Sequence, residues 1–196
     1  MTRRLPIYFV IDTSRSMGGD KINAVNNGLK RMFDLLRKNP MALETVWVSI
    51  IVFNTEATQI IPLTSIIKVK VPEIIAKGWT NIEKSLLELE RSVNNEVVKS
   101  DMHKETKGDW KPIAFMFSDG GQSKGNWKNI KPQINQLFKK FSSINAFVAT
   151  GGSYKSYIDE IKSLIGEFGK VTLLNDFNEE SFDEIINFVS QSIQVK

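Results

Sequence analysis

Five residues in this 196-residue chain carry oxygen donors at positions from which they could converge. Asp12, Ser14 and Ser16 follow an apolar run, Pro6 to Ile11, in the spacing D-x-S-x-S. That spacing puts one carboxylate and two hydroxyls on a tight turn. Thr80 precedes a helical pattern, and Asp119 follows a second apolar run. Hard cations such as Mg²⁺ take all-oxygen shells of this kind, near-octahedral, with bonds of about 2.0–2.1 Å. The pattern therefore points to a metal site built from three separate loops. Arg15 places a cation within the first loop, and Gly120 and Gly121 after Asp119 would let backbone approach an ion or ligand closely.

Each of these residues also has a plainer reading. Ser14 and Ser16 could simply shape a turn before a helix. Thr80-Asn81-Ile82-Glu83 has the form of a capping box, T-x-x-E. Asp119-Gly120 is a common turn pair. What raises Asp12 above these alternatives is its place at the end of a buried strand, where an unpaired carboxylate needs a compensating partner.

Other chemistries fail on inspection. The chain has no G-x-x-x-x-G-K-[ST] and no G-x-G-x-x-G, so the usual phosphate loops are missing. It has no G-x-S-x-G elbow. The single His, His103, lies in a polar stretch and reads as a surface residue. An Mg²⁺-dependent phosphohydrolase with Asp12 as nucleophile is the best enzymatic alternative. Such enzymes typically carry D-x-D, and here the second acidic position is Ser14.

The elements that must position these residues alternate. A strand over Pro6–Asp12 is followed by an amphipathic helix through Ile22, Val25, Leu29, Met32, Phe33 and Leu36, with Asp20 as its N-cap and Asn39-Pro40 as its stop. Glu44–Phe53 and Ala57–Leu63 read as strands of a hairpin around Asn54-Thr55-Glu56. Ile82 to Val97 is helical, and Ser100–Trp110 is a polar loop. A strand at Ile113–Phe117 precedes a helix from Ile130 to Phe141, in which Pro132 is tolerable only in the first turn. Ile144–Ala149 and Val171–Leu174 are strands, and Tyr157–Phe168 and Phe182–Ile193 are helices. This alternation predicts an α/β fold: a doubly wound, mostly parallel six-stranded sheet with one antiparallel edge strand and helices on both faces. In such sheets ligands bind outside the carboxyl ends of the strands, where strand order reverses. Asp12 and Asp119 would share that crevice.

Composition narrows the setting. Hydrophobic residues make 41% of the chain and charged residues 24%, as in ordinary globular domains. The length suits one domain, residues 1–196. The absence of Cys excludes disulfides, thiolate metal sites and Cys nucleophiles. The net charge of +4 is dispersed, with short clusters at Lys68/Lys70 and Lys139/Lys140, so no nucleic-acid stripe is expected. No stretch approaches the ~20 apolar residues of a membrane span. The first apolar run ends in the acidic motif and not in a cleavage site, which favours the cytoplasm over export.

Asp12, Ser14, Ser16, Thr80 and Asp119, in this order and each at a strand or helix end, resemble the metal-ion-dependent adhesion site (MIDAS) of the von Willebrand factor type A (VWA) domains. The resemblance covers nearly the whole chain and implies a Rossmann-like fold. Within that family, Arg3-Arg4-Leu5-Pro6, Ala24 to Leu29, Leu43 to Trp47 and Lys107 to Trp110 look like bacterial TerY-type tellurium-resistance proteins. Arg15 departs from the Gly often found there. The resemblance implies Mg²⁺, with Mn²⁺ or Ca²⁺ as alternatives, held by the serines, the threonine and water-linked aspartates. A protein partner's Asp or Glu would complete the shell. It also implies a scaffold in a chemical-stress complex with kinase-like or phosphatase-like partners, without catalysis of its own.

Overall fold

A computed structural model describes residues 3–101, 107–120, 124–151 and 155–194. Its strands are β1 (Leu5–Asp12), β2 (Val46–Phe53), β3 (Ala57–Ser65), β4 (Ile113–Ser118), β5 (Ser143–Ala149) and β6 (Gly169–Leu174). Its α-helices are α1 (Asp20–Arg37), α2 (Pro40–Thr45), α3 (Ile82–Glu96), α4 (Lys131–Phe138), α5 (Lys155–Ile165) and α6 (Glu179–Gln194). The strands form one sheet in the order β3-β2-β1-β4-β5-β6. Five are parallel, and β3 alone runs antiparallel, at the edge beside β2. The chain winds from β1 outward to β3, then returns to start again at β4. Strand order therefore reverses between β1 and β4, which puts Asp12 and Asp119 at one crevice, as the sequence predicts.

β1 is buried along its whole length, and its side chains divide strictly by parity. Leu5, Ile7, Phe9 and Ile11 face a core with Val25, Leu29 and Phe33 of α1 and Phe182, Ile185 and Val189 of α6. Tyr8 and Val10 face a second core with α3, α4 and α5, through residues such as Leu89, Leu137 and Leu164. A continuous apolar strand is what a parallel sheet covered on both faces requires. On the α6 side the rings of Phe9, Phe115, Phe117 and Phe182 stack in series, with centroids 5.6–6.3 Å apart.

Several boundaries differ from the sequence reading. Asp20 opens α1 as its first residue, while the N-cap is Gly19 at φ 75°. Asn39-Pro40 ends one helix and starts another: Asn39 Oδ1 accepts from the N–H groups of Met41 and Ala42, and Pro40 sits in the first turn of α2. Glu44 and Thr45 therefore belong to α2 and not to β2. The third predicted helix splits into a short 3₁₀ turn, Trp127–Ile130, and α4, with Pro132 in the first turn as predicted. His103 lies outside the described residues.

The amino-terminal end of the sheet is clamped. Arg4 makes two hydrogen bonds to the Asp109 carboxylate, at 2.7 and 2.6 Å, and its guanidinium lies 4.7 Å from the Trp47 ring centroid. Asp109 also accepts from the Val98 N–H at 2.8 Å. Arg3 donates to the carbonyls of Gly108 and Asp109 and stacks on Trp110 at 4.1 Å. Asp109 is 5% exposed and Arg4 24%, so removing one partner leaves the other charge poorly solvated. Asp109→Ala should lower stability by about 2–4 kcal/mol in denaturant unfolding. It should leave divalent-ion binding unchanged, because the clamp lies about eight residues, roughly 25 Å, from the other end of β1.

Candidate functional site

The site forms where β1 and β4 end side by side. Asp12 closes β1 and is 0% exposed. Its Oδ1 accepts the Ser14 N–H at 2.8 Å, and its Oδ2 accepts the Ser118 hydroxyl at 2.8 Å. From there a chain of hydroxyls runs outward. Ser14 Oγ lies 3.1 Å from Ser16 Oγ, and Ser16 Oγ donates to Asp119 Oδ1 at 3.0 Å. Asp119 Oδ2 accepts from Lys21 Nζ at 2.9 Å. Asp12, Ser14, Ser16 and Asp119, named from spacing alone, are thus one connected group. Asp12, Ser14 and Asp119 are buried and Ser16 is exposed, so the group opens to solvent at the Ser16 side.

Three loops are stitched together around it. Thr13 N–H donates to Phe53 O at 2.7 Å and ties the first loop to the end of β2. Lys77 N–H donates to Thr13 O at 2.7 Å, and Arg15 N–H to Gly78 O at 3.0 Å. Gly78 has φ 75°, and a Cβ there would stand 2.8 Å from Thr55 Oγ1, so only glycine fits this close approach. Lys124 N–H donates to Thr80 O at 2.5 Å and joins the second loop to the third. Arg15 itself is exposed beside the group. Gly120 has φ 72°, and its N–H donates to Ser118 Oγ at 3.3 Å. It therefore turns the backbone and helps orient Ser118. Gly121 lies outside the described residues.

Thr80 is buried, at 2% exposed, in the loop held against Thr13 and Arg15. It does not cap α3. Asn81 does so, its Oδ1 accepting from Lys84 N–H at 3.2 Å. Glu83 does not close a capping box either, and instead accepts from Asn126 N–H at 2.7 Å. Among the described residues no hydrogen bond joins the Thr80 side chain to the Asp12–Asp119 chain. Its backbone ties the second loop to the third, and among the described residues its hydroxyl is not joined to the group.

Sequence reasoning missed Ser118, Tyr157 and Lys21. Ser118 is the last residue of β4, and only its adjacency to Asp119 hints at a role. Tyr157, on α5, is 5% exposed, and its hydroxyl is buried beside Ser118. Burial raises its pKa far above the usual phenol value, and the charges of Asp12 and Asp119 push the same way. A phenol from a distant helix carries no sequence signal.

The electrostatics test whether a cation fits. Burial pushes the Asp12 carboxyl up to about 6, and the neighbouring charge of Asp119 adds to this. The donors of Ser14 and Ser118 oppose the rise without cancelling it. A buried carboxylate facing only neutral donors lacks compensating charge. A divalent ion would supply it, and the surrounding oxygen donors suit Mg²⁺. Among the described residues no three His, Cys, Asp or Glu side chains gather at one point. This group has two carboxylates and otherwise hydroxyls.

The family model for the von Willebrand factor type A domain matches residues 7–191. The chain belongs to the VWA family. Three solved structures share the fold. A VWA protein from Catenulispora acidiphila superposes with TM-score 0.66 and 15% identity, covering 94% of this chain and 42% of its own. The D319A mutant of the PilB minor pilin from Streptococcus sanguinis gives 0.72 and 13%, covering 99% and 62%. The conserved hypothetical protein BatB from Bacteroides thetaiotaomicron gives 0.61 and 14%, covering 98% and 100%. The chain thus spans less than two thirds of the first two and the whole of the third. No curated protein matches it in sequence. VWA domains often mediate protein interactions, and among the described residues no helix is long and apolar enough to cross a membrane.

The Asp12 shift has a signed consequence for the metal-free VWA domain. Its folded pKa, about 6, lies above its ordinary value of 3.8. The native state therefore holds the proton more tightly. The associated stability is fully present below the lower value and is lost as pH rises through the upper one. In EDTA, Asp12→Asn should abolish this loss. Near neutral pH it should make the metal-free domain more stable than the wild type by about 1–3 kcal/mol. Urea unfolding of both proteins across this pH range checks the sign, and the two curves should converge below about pH 4.

Proposed function

We propose that this VWA domain is a metal-ion-dependent protein-binding module with a MIDAS-type site. Ser14 and Ser16 would hold Mg²⁺ through their hydroxyls, with Thr80 available as a third. Asp12 and Asp119 would act through water. Mn²⁺ and Ca²⁺ are the alternative ions. The observation that carries this reading is the enclosed Asp12 carboxylate, which has hydroxyl and N–H donors but no cation and leads through Ser14 and Ser16 to an open edge. The bound ion supplies an electrophilic position. With mostly neutral hydroxyls around it, the ion keeps enough positive charge to attract a carboxylate from outside. The partner is then a protein presenting Asp or Glu.

The site in this reading binds and does not turn over. Both oxygens of Asp12 are engaged, by Ser14 and Ser118, and the side chain is enclosed, which is a poor arrangement for the nucleophile of a phosphohydrolase. The segments at Arg3–Pro6, Ala24–Leu29, Leu43–Trp47 and Lys107–Trp110 support a more specific role. They resemble TerY-type proteins, so we place the module in a cytoplasmic tellurium-resistance or chemical-stress complex, with kinase-like or phosphatase-like partners.

Thermal unfolding of wild type and Asp12→Ala, in EDTA and then in millimolar Mg²⁺ or Mn²⁺, tests the metal. A native-state ligand at a hundredfold excess over Kd adds about 2.7 kcal/mol. The wild type should shift upward by that order, and Asp12→Ala should not respond. Pull-downs in Mg²⁺ should lose their partners in the same variant. Partners retained by Asp12→Ala would defeat the proposal.

A further inference from the structure

Lys21 stands in the first turn of α1, five residues after Ser16. Its ammonium donates to Asp119 Oδ2 at 2.9 Å and reaches the Ser16 carbonyl at 3.4 Å. The other oxygen of the same carboxylate takes the Ser16 hydroxyl at 3.0 Å. The Asp119 side chain is 3% exposed and that of Lys21 is 21% exposed. The two carboxylates of the site are therefore treated unequally: Asp119 holds a cation, while Asp12 holds only neutral donors. We propose that Lys21 is an internal cation of the site, held on Asp119 in the metal-free protein, which a divalent ion must displace, so that Lys21 sets the affinity at which the site loads. This rests on the metal reading given above.

The chemistry favours displacement over permanent pairing. Without Lys21, two adjacent carboxylates would repel each other in the metal-free state, so the ammonium offsets part of that charge. A divalent ion held beside these carboxylates would bring its own positive charge to the site and so repel the ammonium. This partly buried repulsion is weakly screened by salt. Lysine suits a displaceable role: its charge is compact and strongly hydrated, on a flexible four-carbon stem that can swing to water. Arginine would grip the carboxylate with a planar fork.

Isothermal titration of Mg²⁺ and Mn²⁺ into wild type, Lys21→Met and Lys21→Gln tests the idea. Both variants should bind the ions about tenfold more tightly or better, since removing one nearby positive charge is worth that much at a partly buried site. In EDTA they should be less stable than wild type, so their metal-induced thermal shift should be larger. A second readout follows Lys21 directly. Its amine should be acetylated faster in Mg²⁺ than in EDTA, measured by mass spectrometry. Equal or weaker ion binding in both variants, with normal binding in wild type, overturns the inference and leaves the metal reading standing. Absence of ion binding in all three proteins overturns the metal reading and this inference with it.

Discussion

A carboxylate buried at the end of a central strand is the constraint around which the rest is arranged. Asp12 is enclosed, and among the described residues it has neutral donors and no positive partner. Ionising such a group away from water is costly unless charge arrives from elsewhere. The neighbouring elements answer this cost in part. β4 contributes Ser118 and the loop after β1 folds back to offer the Ser14 N–H, while Asp119 of the third loop, with Lys21 upon it, adds to the cost. On the metal reading proposed above, the charge that remains uncompensated would draw in a cation. A site electrostatically incomplete by itself would then suit the reporting of an ion and of a partner's carboxylate.

The two ends of β1 show opposite solutions to the same problem. At its start, the Asp109 side chain is also largely buried, yet it is closed by a bidentate arginine, Arg4, just before β1. Arg3 on Trp110, and Arg4 between Trp47 and Asp109, form a stacked, hydrogen-bonded clamp there. Three of the four segments that suggest TerY-type proteins meet in this clamp. Those segments therefore lie where the sheet's amino-terminal end is held together, and the candidate site is at the other end.

Much of this was legible in the sequence because the signals were local. Apolar runs ending in Asp12 and Ser118-Asp119 gave the strands and their active ends. Helical periodicity gave the faces that cover them, and the short Asn54–Glu56 turn gave the antiparallel edge. What escaped was either ambiguous or distant. Thr80 and Asn81 are both good capping residues, and only the backbone decides that Asn81 reaches Lys84. Lys21 and Asp119 are 98 positions apart, and Ser118 and Asp12 are 106 apart. Nothing in the spacing of D-x-S-x-S says that a lysine five residues later will fold onto a carboxylate from another strand.

The loops that carry the site are not independent. Backbone bonds from Lys77 to Thr13, from Arg15 to Gly78 and from Lys124 to Thr80 make the three segments one stitched rim on a rigid sheet. Ordering loops at the moment of binding would cost conformational entropy, and here much of that cost is met when the chain folds. Among the described residues of the rim, Lys21 and Thr80 have room to respond beside the exposed Arg15 and Ser16. Lys21 lies at the solvent edge on a flexible stem, and the Thr80 hydroxyl is committed neither to a helix cap nor to the hydroxyl chain. On the metal reading proposed above, entry of an ion would be answered by rotamer changes of Lys21 and Thr80 on a backbone already tied by these bonds.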